Sequence, residues 1–226
     1  MATTRELQLN PGHGFTVTAS APLSGPYDLS GVQRGVILAN STFKAPYFVP
    51  MILTSYNYAY GLQTTLFTPS FAMLPTFDST LPPLFDGNSQ SVTISEAMGM
   101  SFSPVILIIP KSILTQPFLD QLTLGTSPLV GFLKQNDSYR LPGQLDSAWV
   151  PTVPLRMIHH RSDDLVLYGN SQVAFDAFIA AGSTSVELVE ETVTINISSS
   201  PVKTVHFAAA FPELSRGWQW LNGFKQ

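Results

Sequence analysis

The decapeptide Met157-Ile158-His159-His160-Arg161-Ser162-Asp163-Asp164-Leu165-Val166 limits how this chain can fold more than any other stretch. An apolar run from Leu155 that ends in histidines and passes into a doubly acidic loop reads as a buried strand, Leu155–His159, entering a loop and then a helix. A carboxylate just past the carboxyl end of a parallel strand lies where open α/β sheets keep their chemistry. His206 answers it from downstream. A carboxylate after one strand and a histidine after the next can meet at one sheet edge, where the acid orients the imidazole and the imidazole serves as a general base.

The surrounding pattern fits such a sheet. Phe15–Leu23 is strand-like and leaves through the Gly/Pro-punctuated run Ser24–Gly31, where Ser24 and Asp28 read either as pocket groups or as turn caps. Asn170 is a candidate N-cap for a helix over Ser171–Ala181, with Val173, Ala177, Phe178 and Ala181 on one face and Gly182 as its stop. Ser185–Glu190 is a second strand, and Thr192–Ile197 is a hairpin return or a long loop. His206 falls in a connecting segment, after which Pro212 opens a last helix burying Leu214, Trp218 and Leu221. Alternation of this kind predicts an α/β fold with a parallel sheet and right-handed crossovers. Met1–Leu9 has the character of a helix's closing turns, stopped by Asn10-Pro11-Gly12.

The middle is different. Residues 32–145 read as an aromatic-rich, largely helical insertion between the segments 1–31 and 146–226 of a single domain. Pro46–Leu62 is apolar on nearly every face and suits a buried or cavity-lining helix. Phe67–Phe85 is rich in Pro and Phe, while Glu96–Gly99 and Leu114–Leu124 are short helical candidates. Tyrosines and phenylalanines would face inward over a site.

Composition narrows the function classes. Only 11 Lys+Arg and a formal charge of -4 leave no basic stripe for nucleic acid. The chain has no Cys, so thiolate metal sites and disulfides are excluded. Adjacent strand residues point to opposite faces, so His159 and His160 cannot easily share an ion with Asp163 and His206; neither a metal nor a cofactor is expected. His13 reads as a solvated loop residue. Met1–Leu9 lacks the apolar core of a signal peptide, and Pro104–Pro110 is too short to span a bilayer, so the compartment stays open.

At the acid loop the chain resembles the α/β-hydrolase superfamily, in particular its secreted lipase- and esterase-like branch. The family's loop has the form His-Gly-x-x-Asp-x-x-Val-Pro. His159–Leu167 matches at His159, Asp163 and Val166 and departs at His160 and Leu167. Ala19–Gly31, with its Pro-Tyr-Asp-Leu-Ser-Gly run, and Tyr56–Leu62 also look like that branch. The resemblance implies Asp163 as triad acid, Asp164 as its solvated neighbour and His206 as base. It also implies a small-molecule ester or lipid-like substrate held by Tyr27, Tyr47, Phe48, Tyr56 and Tyr58.

One family feature has no counterpart. Gly-x-Ser-x-Gly, the nucleophile elbow, occurs nowhere in the 226 residues; Gly125-Thr126-Ser127-Pro128-Leu129 lacks the closing Gly. In the family the elbow opens the helix whose end matches Met1–Leu9. The expectation is therefore that Met1 is internal to a longer hydrolase and that this chain is its C-terminal portion, supplying acid and base and inactive alone. Such a portion would leave a sheet edge unpaired and self-associate through it. The competing reading is a non-catalytic binding module whose cavity around Tyr47, Phe48, Tyr56, Tyr58 and Tyr60 takes an apolar ligand or a protein partner.

Overall fold

The computed structural model describes residues 1–60, 69–102, 105–197 and 203–225, and the readings placed on Gly61, Leu62, Phe67 and Pro104 lie outside them. The chain divides into two compact units, one built from residues 1–33 and 134–226 and the other from 34–133. In order the elements are α1 (Ala2–Leu9), α2 (Arg34–Leu38), α3 (Phe48–Ala59), α4 (Pro69–Ala72), α5 (Pro75–Asp78) and α6 (Ser91–Ala97). There follow β1 (Ser101–Phe102), β2 (Val105–Ile106), α7 (Gln116–Leu124), α8 (Pro128–Asn136), β3 (Arg140–Leu141) and β4 (Gln144–Ala148). The chain closes with β5 (Leu155–His160), α9 (Gly169–Ala180), β6 (Val186–Glu191) and α10 (Val205–Asn222).

β5 is the axis of the first unit. It pairs in parallel with β6, from Leu155 opposite Val186 to His160 opposite Glu191, and α9 makes the crossover between them. The fold is thus α/β with a parallel sheet, as the alternation of elements predicts. On the other side of β5 runs the extended segment Ser20–Leu23, bonded through Ser20 N to Pro154 O, Arg156 N to Ser20 O and Ile158 N to Pro22 O. It falls short of a full strand because Pro22 has no N–H to return to the ladder, so two isolated parallel bridges, Ser20 to Leu155 and Leu23 to Ile158, are all that form.

Alternation along β5 sends its side chains to two different helices. Leu155 and Met157 join Tyr27, Tyr139, Trp149, Ala174 and Phe178 in one buried cluster, with Trp149 and Phe178 edge-to-face at 5.3 Å. Ile158, on the other face, meets α10 at Gly217. α1 is tied down beside this core by Arg5, whose guanidinium donates to the carbonyls of Asp137, Ser138 and Arg140, and by Thr4 bonded to Ser20. It stops at Leu9, where the Asn-Pro-Gly run places its end; Pro11–His13 then form a separate 3-10 turn, and the left-handed residue is Gly14 rather than Gly12. The type II signature Leu141-Pro142-Gly143-Gln144 turns β3 into β4, with Gly143 at φ +78°.

Two sequence expectations change here, and one alternative is decided. In α9 the fully buried positions are Asn170, Ser171, Ala174 and Phe178, while Ala181 is exposed and the helix already starts at Gly169. Thr192–Ile197 takes the loop alternative and forms no strand. Most of all, α10 begins at Val205 behind the N-cap Thr204, so His206 belongs to the helix and Pro212 sits inside it. The buried face of α10 is Ala209, Glu213 and Gly217, not the large residues. Leu214, Trp218 and Leu221 are 58%, 63% and 37% exposed and form an outward stripe with Phe207 and Phe211. Close helix–strand approach selects small side chains, and only the small side of α10 fits β5.

In the second unit, Phe118, Leu122, Met73, Leu81, Ile113 and Leu129 are buried among short helices. α7 is capped by the Thr115 hydroxyl and ends at left-handed Gly125. α3 is not buried on every side: Val49, Pro50 and Leu53 face inward, whereas Tyr58 is 90% exposed. Among the described residues no helix is long and apolar enough to cross a membrane.

A Cβ built at Gly217 meets Ala21, Leu23 and Ile158 at 3.5–3.7 Å, ordinary contact distance. Gly217→Ala should therefore be neutral or stabilise by up to about 1 kcal/mol through helix propensity. Gly217→Leu should cost about 1–3 kcal/mol by overpacking. Urea unfolding midpoints of the two variants check both.

Candidate active site

β5 delivers its chain into a tight loop whose turn closes with Asp163 N donating to His160 O. Asp163 points back into the protein, its side chain wholly buried, and is surrounded by donors. Oδ1 accepts the amides of Leu165 and Val166, each at 2.9 Å. Oδ2 faces His206 Nδ1 at 2.6 Å and His159 Nε2 at 3.2 Å. The two positions singled out in the sequence thus meet directly.

His159 is a buried partner of the acid. Its Nε2 also lies 2.8 Å from Val166 O, and a carbonyl only accepts, so Nε2 carries the hydrogen and shares it between that carbonyl and Asp163. In the neutral ring Nδ1 then accepts the Ser171 hydroxyl at 2.7 Å. Ser171 was legible only as a helix residue; its role arises because α9 packs against the His159 face of β5.

His160, standing where the resembled motif has glycine, turns the other way. It accepts the Ser162 amide at Nδ1 and donates through Nε2 to Val193 O, which ties the acid loop to the segment after β6. The two histidines diverge, as strand geometry requires. Among the described residues no group of three or more His, Asp or Glu is arranged to hold a metal.

Electrostatics follow from these contacts. Burial alone would push the Asp163 carboxyl up, but the bonds from His159, His206 and the two amides outweigh it and hold the carboxyl well below its ordinary range. The His206 imidazolium is favoured in turn: the hydrogen bond to Asp163 raises its pKa against the opposing effect of burial, and the negative charges of Asp163, Glu213 and Asp164 add to the rise. With Nδ1–H committed to Asp163, Nε2 on the far side of the ring is the position from which a proton can be taken up or given. The His206 side chain is 26% exposed.

Asp164 is more than a solvated neighbour. It is half-buried, and its Oδ1 accepts the amides of Val205 at 2.9 Å and His206 at 3.4 Å, the first two of α10. Glu213 was not anticipated at all. It is 2% exposed and accepts the Ser24 hydroxyl at 2.7 Å and the His160 amide at 2.8 Å. Burial raises its pKa, opposed by those same bonds. Ser24, held at φ +35°, is a buried partner of this carboxylate, and Asp28 caps the Val32 amide and accepts from Tyr139.

The aromatic candidates are divided between the two units. Tyr27 is buried in the first unit, and burial pushes its phenol up. Tyr47, Phe48, Tyr56 and Tyr58 belong to the second unit, where the Tyr47 and Phe48 rings lie 4.6 Å apart and Tyr56 stands edge-on to Tyr60 at 5.4 Å. A cleft of about 400 Å³ in that unit is lined instead by residues such as Leu38, Ile109, Lys111 and Leu119.

By sequence, no protein-family model matches the chain, and no curated protein matches it. By structure it is similar to the rice cell wall degrading esterase LipA from Xanthomonas oryzae, with a TM-score of 0.72 at 20% identity over 99% of this chain and 55% of that one. A ligand-bound form of the same esterase gives a TM-score of 0.70 at 19% identity, over 95% of this chain and 52% of that one. A protein from Legionella pneumophila taken to be a hydrolase gives 0.68 at 16% identity, over 99% and 52%. The chain shares the fold of these solved structures and spans about half their length.

The sign of each shift sets a pH window. Asp163, depressed in the fold, stabilises above its unfolded value of ~3.9, and that contribution is lost as pH falls through the folded value. His206, raised in the fold, stabilises below ~6.5, and that contribution is lost as pH rises through its folded value. The stability difference between the parent chain and Asp163→Asn should therefore peak between pH ~4 and ~6.5, at about 1.5–3 kcal/mol for charged hydrogen bonds, and shrink on both sides. Urea unfolding across that range measures it.

Proposed function

We propose that this chain is the acid- and base-bearing part of a serine hydrolase that cleaves carboxylic esters. The single observation that carries the reading is the 2.6 Å bond between Asp163 and His206, made at the carboxyl end of a parallel strand. Likeness to an esterase fold supports it. In this reading Asp163 fixes the tautomer and orientation of His206. His206 Nε2 then removes the proton of an attacking hydroxyl and later delivers it to the departing alcohol, while Asp163 stabilises the imidazolium formed between those steps. The hydroxyl would come from a Gly-x-Ser-x-Gly elbow, which the 226 residues do not contain. A second polypeptide segment is therefore part of the proposal, and this chain by itself should hydrolyse no ester.

The inserted unit, 34–133, is the part we assign to substrate selection, with Tyr47, Phe48 and Tyr56 as its aromatic contacts. A small-molecule ester, up to a lipid-like acyl chain, is the substrate class. The Xanthomonas protein of the same fold is a cell wall degrading esterase, which supports an ester substrate.

The test is to join the chain to an upstream segment carrying an intact Gly-x-Ser-x-Gly strand-to-helix turn and assay p-nitrophenyl acetate and butyrate. Hydrolysis should appear, and His206→Ala or Asp163→Asn should lower kcat by about 10⁴-fold. Failure of the joined protein to cleave either ester, or activity indifferent to His206, would remove the enzyme reading.

A further inference from the structure

α10 presents a problem of placement. His206 is only its second residue, and the segment between β6 and α10 has no regular structure over 192–196 that could aim it. The large apolar residues of α10 face outward, so its inward side offers little area with which to hold it. Yet His206 Nδ1 must stay within 2.6 Å of a fixed carboxylate. Two further carboxylates meet this demand from opposite directions.

From the acid loop, Asp164 reaches across to α10 and accepts the amides of Val205 and His206. These are donors with no partner inside the helix, so a carboxylate there satisfies them and favours the positive end of the helix dipole. From α10, Glu213 reaches back about two turns further along and accepts the His160 amide at the end of β5 and the Ser24 hydroxyl at the end of the neighbouring extended segment. One contact fixes the start of the helix on the loop that carries Asp163; the other fixes its body on the strand ends from which that loop departs. With both made, α10 can neither slide nor roll without carrying His206 away from Asp163.

The location of Glu213 sharpens the point. A carboxylate at 2% exposure is expensive to desolvate, and its partner Ser24 is held at φ +35°, a region that costs a non-glycine residue free energy. We infer that Asp164 and Glu213 are positioning residues for the base, jointly setting the distance and angle at which His206 meets Asp163. The inference rests on the reading of Asp163 and His206 as acid and base.

Nuclear magnetic resonance of the 226-residue chain tests it through the low-field resonance of the His206 Nδ1–H and through the ring titration compared between variants that lose the same charge. In Asp164→Ala and in Glu213→Leu the Nδ1–H resonance should broaden or vanish, and the titration midpoint should fall toward ~6.5 by more than in Asp164→Asn and Glu213→Gln, which lose the same charge. Asp164→Asn and Glu213→Gln, which keep an acceptor oxygen and remove only the charge, should retain that resonance. An unchanged Nδ1–H resonance in folded Asp164→Ala overturns the inference, as does loss of the resonance in the Asn and Gln variants to the same extent as in Ala and Leu, or a titration that falls equally in both sets. If Glu213→Leu does not fold, Asp164→Ala and Glu213→Gln still decide. Asp163→Asn separates the two levels: if it leaves the His206 titration where it was, the acid–base reading itself fails. If it lowers the titration while Asp164→Ala lowers it no more than Asp164→Asn does, only the positioning inference fails.

Discussion

Everything in the first unit is arranged around one buried carboxylate. Asp163 receives two backbone amides on one oxygen and two imidazoles on the other. A carboxylate stripped of water survives ionised only when its lone pairs are met by donors, and each donor has to be brought from somewhere. The loop supplies Leu165 and Val166, β5 supplies His159, and α10 supplies His206. The parallel register of β5 and β6, the tight turn after His160 and the docking of α10 are thus consequences of one requirement. A change that misplaces any of these elements leaves the acid short of a partner and weakens the other three contacts with it.

The chemistry of the site was more legible than its scaffolding. The Leu155–His160 run, the Asp163 loop and the late His206 are local signals: an apolar strand, an acid at its end, a lone downstream histidine. The helix end at Leu9 and the stop at Gly182 were equally local, since Gly and Pro act on their own few residues. Where the reading slipped, the deciding quantity was a tertiary distance. Phe207, Phe211, Leu214, Trp218 and Leu221 repeat at helical spacing and look like a core stripe, but the core face of α10 is set by how near its backbone comes to Ile158. Small residues carry little hydrophobic signal, so Ala209 and Gly217 were invisible to periodicity. Pro212 misled in the same way. Proline is commonest in the first turn, yet here the Thr204 cap starts the helix earlier and the proline is simply accommodated.

Two residues could have been found with a different question. The single acidic residue of α10, Glu213, lies on its small-residue side and asks for a buried donor, and the polar residues closing the preceding extended segments, Ser24 and His160, are the natural ones. The doubled acid Asp163-Asp164 likewise asks why two carboxylates are adjacent. One binds the ring of His206 and its neighbour binds that residue's backbone, so the pair grips both ends of a single amino acid. The tyrosines of 47–58 offered no comparable constraint, because an aromatic can be core, surface or pocket with equal ease, and Tyr58 turned out to be nearly bare.

The inverted helix α10 has one more implication. Most amphipathic helices are glued down by oil and so grip harder as water is warmed from the cold. This one turns its greasy flank to solvent and holds on by carboxylate bonds and close backbone contact, so its attachment draws little on that temperature-dependent force. Its thermal response should set it apart from the β5–α9 core: cooling should loosen the core's grip more than the helix's, and added chaotrope, which acts on exposed peptide and polar bonds as well as on oil, should find the histidine-bearing helix before it finds Trp149.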